Sequence, residues 1–154
     1  MPQVLLVGGA GYVGSVLAYE LLQRGYAVKI LDRLYFGDDG LRDVRDRVDL
    51  VVGDMRTVDA HVLKDVDSVI NIGGLSNDPT AEYNPQANYE MNTLASKKLA
   101  DLCVASGVRR YILASSCSIY DRGVGNESAD VLDFIRNNEF GFWSRRIVDI
   151  TWPI

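Results

Sequence analysis

The sequence is poor in the residues that staple small folds or bind metals. It has one histidine, His61, and two cysteines, Cys103 and Cys117. His61 has no ligand-like neighbours, and structural zinc wants four ligands. It reads as a solvent-facing helix residue, and no metal site is expected. The cysteines lie far apart in unlike contexts, one in a helical pattern and one after a strand pattern. That fits a reducing cytosol better than a disulfide scaffold. No apolar run approaches the ~20 residues of a membrane span, so no membrane partner is expected. Basic charge is in deficit: 16 Lys and Arg stand against 21 Asp and Glu, a net charge of −5. That argues against nucleic acid as a partner, because its phosphates call for a basic patch. Met1-Pro2-Gln3 runs straight into a strand pattern with no leader before it, so a cytoplasmic location is expected. No internal repeat or low-complexity stretch stands out.

The remainder is an ordinary core-forming chain. With 154 residues and 47% apolar composition, one domain with a real core is the natural expectation. Its organising stretch is the start. Val4 to Val7 is a continuous apolar run, the mark of a parallel strand covered on both faces. Gly8, Gly11 and Gly14 follow at intervals of three. One glycine permits the turn out of the strand, one lets a pyrophosphate approach the backbone, and one lets helix and strand pack closely. The helix N-terminus behind them offers N–H groups and a favourable dipole to phosphates. A second strand, Ala27 to Leu31, ends at Asp32. A carboxylate about 20 residues beyond the glycines can accept hydrogen bonds from a ribose hydroxyl. A glycine turn without a ligand is the alternative, but the strand–turn–helix–strand context favours dinucleotide binding.

Along the chain, the first helix is expected from about Tyr12 to Arg24. Its apolar face would be Val13, Leu17 and Leu21, with Val16, Ala18 and Leu22 beside them, and Gly25 would end it. Residues 32–40 read as a loop, with a short helical turn from Leu41 to Arg45. Arg47 to Val52 is a third strand, followed by Asp54, which is either a ligand contact at the strand's carboxyl end or a turn residue. Val58 to Lys64 reads as a short helix and Asp67 to Ile72 as a fourth strand. Gly73-Gly74 would then either let backbone lie against a cofactor or form a plain turn. Asn84-Pro85 caps a long helix running to Ser106. Met91, Leu94, Ala95, Leu99, Leu102 and Cys103 should face the sheet, and Gly107 stops the helix. Arg109 to Ala114 is a fifth strand, with Ser115 to Ser118 after it. Such alternation implies a doubly wound parallel sheet, an α/β Rossmann fold, with strand order 3-2-1-4-5.

Four motifs occur in order: Gly8-Gly9-Ala10-Gly11-Tyr12-Val13-Gly14, Gly53-Asp54-Met55-Arg56, Ile72-Gly73-Gly74-Leu75-Ser76 and Ser115-Ser116-Cys117-Ser118-Ile119-Tyr120. Together they resemble the extended short-chain dehydrogenase/reductases, the NAD-dependent epimerase/dehydratase group acting on nucleotide sugars, over about residues 3–122. The resemblance implies NAD as cofactor and a nucleotide sugar as a further partner. Gly8, Gly11, Tyr12, Val13 and Gly14 would hold the pyrophosphate, and Asp32 the adenosine ribose, favouring NAD over NADP. Arg33 leaves room for a 2′-phosphate, because a guanidinium pairs well with phosphate. Asp54 and Met55 would flank the adenine, and Gly73 and Gly74 the nicotinamide side. Asn92 would support the active site. Ser116, with Ser118 as runner-up, would hydrogen-bond the reacting group.

One departure from that family's pattern is plain in the sequence. Its base is a tyrosine with a lysine four residues later, which lowers the phenol's pKa so that it can take the substrate proton. Here the lysines are at 29, 64, 97 and 98, and the positions four before them hold Gly25, Ala60, Thr93 and Leu94. The expectation is therefore a truncated Rossmann domain, residues 1–122, that binds NAD and is inactive alone. Residues 123–154 form an atypical tail containing Phe140, Phe142, Trp143 and Trp152. The tail is either the product of a premature stop or altered frame, or a natural cover for the fifth strand's open edge. That edge and those rings point to a homodimer. A non-catalytic NAD-sensing or assembly module, and an enzyme completed by a partner chain, remain as alternatives.

Overall fold

A computed structural model describes residues 1–75 and 83–114. Met1–Tyr111 form one compact unit and Ile112–Ile154 a second. Ser116, Ser118, Tyr120, the tail rings and the expected boundary near residue 122 all lie outside the described residues.

The sheet has five strands: β1 (Gln3–Val7), β2 (Ala27–Asp32), β3 (Val48–Val52), β4 (Ser68–Asn71) and β5 (Arg110–Leu113), in the order β3-β2-β1-β4-β5. The pairings β1–β2, β1–β4 and β2–β3 are parallel. Their register aligns the carboxyl ends: Val7 stands opposite both Leu31 and Asn71, and Asp32 opposite Val52. The order reverses at β1, so the crevice outside β1 and β4 is the topological switch point where open α/β sheets bind ligands.

Helix α1 (Tyr12–Gln23) covers one face. There Val4, Leu6, Val28, Ile30 and Val48 meet Ala18 and Leu21 of α1 and Leu41 and Val44 of the β2–β3 connection. The buried side of α1 differs from the expectation. Val13 and Val16 are 64% and 62% exposed, while Gly14, Ala18 and Leu21 are buried. A Cβ on Gly14 would collide with Gly8 O and the Gly9 backbone. Close approach by that glycine sets the helix's rotation, and Val13 and Val16 are turned outward by it. After α1, Gly25 takes φ +81°, as expected of a helix-ending glycine.

The connections are tighter than expected. In place of one turn at Leu41–Arg45 there are two 3-10 turns, Asp39–Leu41 and Arg45–Arg47, and the expected helix at Val58–Lys64 contracts to a 3-10 turn, Ala60–Leu63. His61 is exposed, as expected.

The expected long helix starts on its cap, with the Asn84 side chain accepting from Ala87 N–H and Pro85 at the first position. It is not continuous. Helix α2 (Pro85–Asn88) passes into a π-helical stretch, Tyr89–Leu94, before α3 (Ala95–Ala105). The i, i+4 spacing of an α-helix does not hold inside such a widened turn. Leu94, its last residue, is 45% exposed, while Met91, Ala95, Leu99 and Cys103 are buried as expected, with Ser96 and Ala100 beside them. Gly107, at φ +73°, follows the helix end.

Candidate functional site

Three loops meet at the carboxyl edge of β2, β1 and β4. The turn after β1 begins at Gly8, whose φ of +79° disfavours any side chain. A Cβ there would also fall 2.7 Å from Gly73 Cα, so the turns after β1 and β4 touch main chain to main chain. Gly8 N–H donates to Leu31 O at 2.9 Å and Gly8 O accepts from Gly11 N–H at 3.2 Å. Gly9 belongs to no triplet, yet a Cβ on it would lie 2.8 Å from Ile30 Cγ2. The core beneath demands that glycine, and nothing in the triplet spacing marks it.

Gly11 is the N-cap of α1 and brings no capping side chain, and no acidic residue occupies the first helical turn. The first bond within the helix is Ser15 N–H to Gly11 O, 2.9 Å. The N–H groups of Tyr12, Val13 and Gly14 therefore have no partner one turn earlier, and no acidic residue of that turn offsets the positive end of the helix dipole. Tyr12 is 93% exposed, so its side chain does not cover them.

Asp32 ends β2 beside this turn. Its Oδ2 accepts from Ala10 N–H at 3.0 Å and its Oδ1 from Leu34 N–H at 2.8 Å. An ionised carboxylate has about four lone-pair sites, so it braces two loops and retains acceptor capacity. Arg33 points to Asp54: Arg33 Nη1 lies 3.1 Å from Asp54 Oδ2, and its guanidinium sits 4.1 Å above the Tyr35 ring centroid. Asp54 is also gripped by Arg56, from Nε at 2.9 Å and Nη2 at 2.7 Å to Oδ2, while the Arg56 backbone N–H donates to Oδ1 at 2.9 Å. Asp54 thus closes its own turn, with Thr57 N–H and Val58 N–H donating to its carbonyl at 3.0 Å each. The Arg56 side-chain hydrogen bonds hold its carboxyl below the usual carboxylate range, against the opposing effect of burial. Met55 is buried at 5% exposure. Arg56, which reaches on to Glu90 at 3.9 Å, was not singled out from the sequence, although an arginine two residues after the aspartate is the available signal.

The third loop, Gly73-Gly74-Leu75, is held from the π-helical stretch. Asn92 Oδ1 accepts from Leu75 N–H at 2.8 Å, and Asn92 Nδ2 donates to Leu75 O at 2.9 Å and to Asn88 Oδ1 at 2.7 Å. A Cβ on Gly74 would lie 2.5 Å from Asn92 Oδ1, so glycine there makes room for the asparagine. Behind the loop, fully buried Asn71 accepts from Gly73 N–H at 3.1 Å and donates to Ser96 Oγ at 3.1 Å and Tyr111 Oη at 2.9 Å. Tyr111 Oη donates in turn to Ser96 O at 3.2 Å. Burial pushes the Tyr111 phenol up to about 12. The Cys103 thiol, also buried, is pushed up to about 12, which marks it as core. The sequence signal for Asn71 is a polar residue closing an apolar strand, and no motif marks it.

Among the described residues no group of three or more His, Cys, Asp or Glu side chains is arranged to hold a metal. No helix among them is long and apolar enough to cross a membrane.

A model of the NAD dependent epimerase/dehydratase family matches residues 4–141. The chain belongs to this family. This family member is 32% identical over 127 residues to a UDP-glucose 4-epimerase of Klebsiella pneumoniae, an alignment covering 77% of this chain and 91% of that protein. It is 29% identical over 130 residues to UDP-glucose 4-epimerase 3 of Oryza sativa subsp. japonica, covering 76% of this chain but 35% of the relative. Among solved structures it resembles the UDP-glucose-4-epimerase of Stenotrophomonas maltophila with bound NAD and formylated UDP-arabinopyranose. That likeness has a TM-score of 0.73 at 28% identity and covers 84% of this chain and 42% of that one. The UDP-glucose 4-epimerase of Brucella ovis in complex with NAD gives a TM-score of 0.71 at 28% identity, covering 83% and 39%. The chain thus spans most of the Klebsiella relative and well under half of the rice protein and of these solved structures.

Proposed function

We propose that the chain binds NAD at the carboxyl ends of β1, β2 and β4. On this reading it is the cofactor-binding portion of a nucleotide-sugar epimerase or dehydratase and has no turnover of its own. One arrangement carries the reading: the uncapped amides of α1 follow closely on Ala10, whose N–H donates to the Asp32 carboxylate, and nothing crowds Gly11 between them. A Cβ on Gly11 would meet only Gly8 O, at 3.4 Å, an ordinary contact. The protein itself therefore has no need of glycine there, but a pyrophosphate on the α1 amides does. The spare acceptor sites of Asp32 suit ribose hydroxyls, so the residues present fit a dinucleotide. NAD bound there would accept and return a hydride. The turn at Gly73-Gly74, pressed against Gly8, extends the cleft toward the nicotinamide end.

The lysine positions, none preceded four residues earlier by tyrosine, support the absence of independent turnover. Loss of an acid/base group costs ~10²–10⁴-fold in rate. The substrate class comes from the relatives, whose names carry UDP-sugars. Among the described residues no strand lies beyond β5, and pairing of two copies along that edge belongs to the same proposal. A dimeric mass by light scattering supports it, and a monomer at high concentration removes it.

The test is calorimetric titration with NAD and NADH, run on the unaltered chain and on Gly11→Ser. Serine is a favoured N-cap residue, so the variant should be as stable as the parent or more so, while the added side chain lowers NAD affinity. No binding at millimolar cofactor overturns the proposal, as does undiminished binding by Gly11→Ser. Turnover of NAD with a UDP-sugar by the chain alone overturns the part of the proposal that denies it activity of its own.

A further inference from the structure

Arg33 directly follows Asp32, the residue assigned to the ribose, so its side chain starts next to where a 2′-substituent would lie. A guanidinium with an open position there would pair with the 2′-phosphate of NADP through charge-assisted hydrogen bonds. In this chain Arg33 is held on two sides. Its Nη1 is 3.1 Å from Asp54 Oδ2, with both side chains largely shielded from solvent, and its guanidinium lies 4.1 Å from the Tyr35 ring centroid. Asp54 is itself immobilised. Arg56 grips its Oδ2 from Nε and Nη2, and the Arg56 backbone N–H holds Oδ1. Asp54 cannot turn away from Arg33 without breaking that grip.

We infer that Asp54 is a specificity-determining residue: by tethering Arg33 it withholds the guanidinium from a 2′-phosphate, so discrimination against NADP rests on Asp54 as well as on Asp32. The inference rests on the dinucleotide reading above and adds a positioning role for a residue otherwise expected beside the adenine. The adenine role would weaken NAD and NADP equally when Asp54 is changed. The tether alters their ratio.

The experiment measures dissociation constants of NADH and NADPH by fluorescence titration of the full chain and of Asp54→Asn, Asp54→Glu and the double variant Asp54→Asn/Arg33→Ala. Releasing a charged hydrogen-bond donor to a phosphate should lower the NADPH-to-NADH ratio about tenfold or more in Asp54→Asn. Arg33→Ala in that background should return the ratio to its original value. Asp54→Glu keeps the charge that holds Arg33 and should keep the parent ratio. A ratio unmoved by Asp54→Asn overturns the inference, and so does a fall that persists without Arg33, which would point to Arg56 instead. A chain that binds NADH with no shift among the variants leaves the dinucleotide reading standing and removes only the role of Asp54. A parent chain that binds neither dinucleotide removes both. If Asp54→Asn fails to fold, a ratio lowered by Asp54→Glu counts equally against the inference.

Discussion

Replacing Gly14 by alanine sets helix propensity against packing. In a helix interior alanine is favoured over glycine by about 1 kcal/mol, so propensity alone makes Gly14→Ala a stabilising change. The contacts predict the reverse. The new methyl would run into Gly8 O and lie 2.6 Å from Gly9 Cα and 2.7 Å from Gly9 C, whereas ordinary contacts begin at 3.4 Å. All three obstacles are main chain, and the turn cannot retreat, because Gly8 is backed by Gly73 and Gly9 lies on Ile30. Helix α1 must instead withdraw, lifting buried Ala18 and Leu21 off the core. Overpacking of this kind costs about 1–3 kcal/mol, and a rigid surround takes the upper end. After the propensity gain the net loss is about 2 kcal/mol, a factor of about 30 in the folding equilibrium. That corresponds to a fall in Tm of about 4–8 °C for a chain of this size. Urea denaturation followed by far-ultraviolet circular dichroism reads it directly: the midpoint falls while the slope stays the same. A midpoint unchanged or raised would refute the claim that Gly14 sets the rotation of α1.

Two further outcomes are expected. Asn92→Ala removes both hydrogen bonds that hold Leu75, at a cost of about 1–2 kcal/mol; NAD affinity should drop and exchange of the Leu75 amide should speed up, so an unchanged exchange rate would deny Asn92 its role in the loop. On the alkaline side, the buried Tyr111 and Cys103 carry values of about 12 against ordinary values of 10.0 and 9.0. The unfolded chain releases these protons first, so the stability they contribute is complete below pH 9.0 and is lost as pH rises toward about 12. Tyr111→Phe should flatten the part of that loss above pH 10.0, measured as denaturation midpoint against pH, and an identical slope in parent and variant would count against a buried neutral phenol.

Much of the architecture is written in local pattern. Apolar runs of four to six residues separated by helical spacing predict parallel strands and crossovers, and the register then follows from burial on both faces. The misses have a common physical origin. Hydrophobic periodicity assigned Val13 and Val16 to the core, but a hard contact at Gly14 outranks the burial of two valines. The same periodicity places Leu94 inward by assuming an unbroken helix, but Leu94 lies within the π-helical stretch, where that spacing does not hold. Periodicity reports the average pitch of a segment. It is blind to a single close contact or one inserted residue, and both fall at the site.

The polar residues around the cleft show why motifs locate a site without explaining how it is held. Asp32, Asn71 and Asn92 each spend side-chain hydrogen bonds on loop backbone: Ala10 and Leu34, Gly73, and Leu75. Two of them occupy the last position of an apolar strand, where the chain leaves the sheet and its amides lose their ladder partners. A side chain at that point can replace the missing acceptors, whether it is fully buried behind the loop, as Asn71 is, or partly exposed beside it, as Asp32 is. Asp32 illustrates the consequence. Removing its carboxylate would take away the proposed ribose contact and the acceptors for Ala10 and Leu34 together, loosening the turn that precedes the α1 amides. Weakened binding in an Asp32→Ala variant would therefore mix lost contact with lost geometry. Gly11→Ser perturbs the ligand's space while leaving every one of these braces in place, and it isolates the binding surface more cleanly than substitution of the acidic residue.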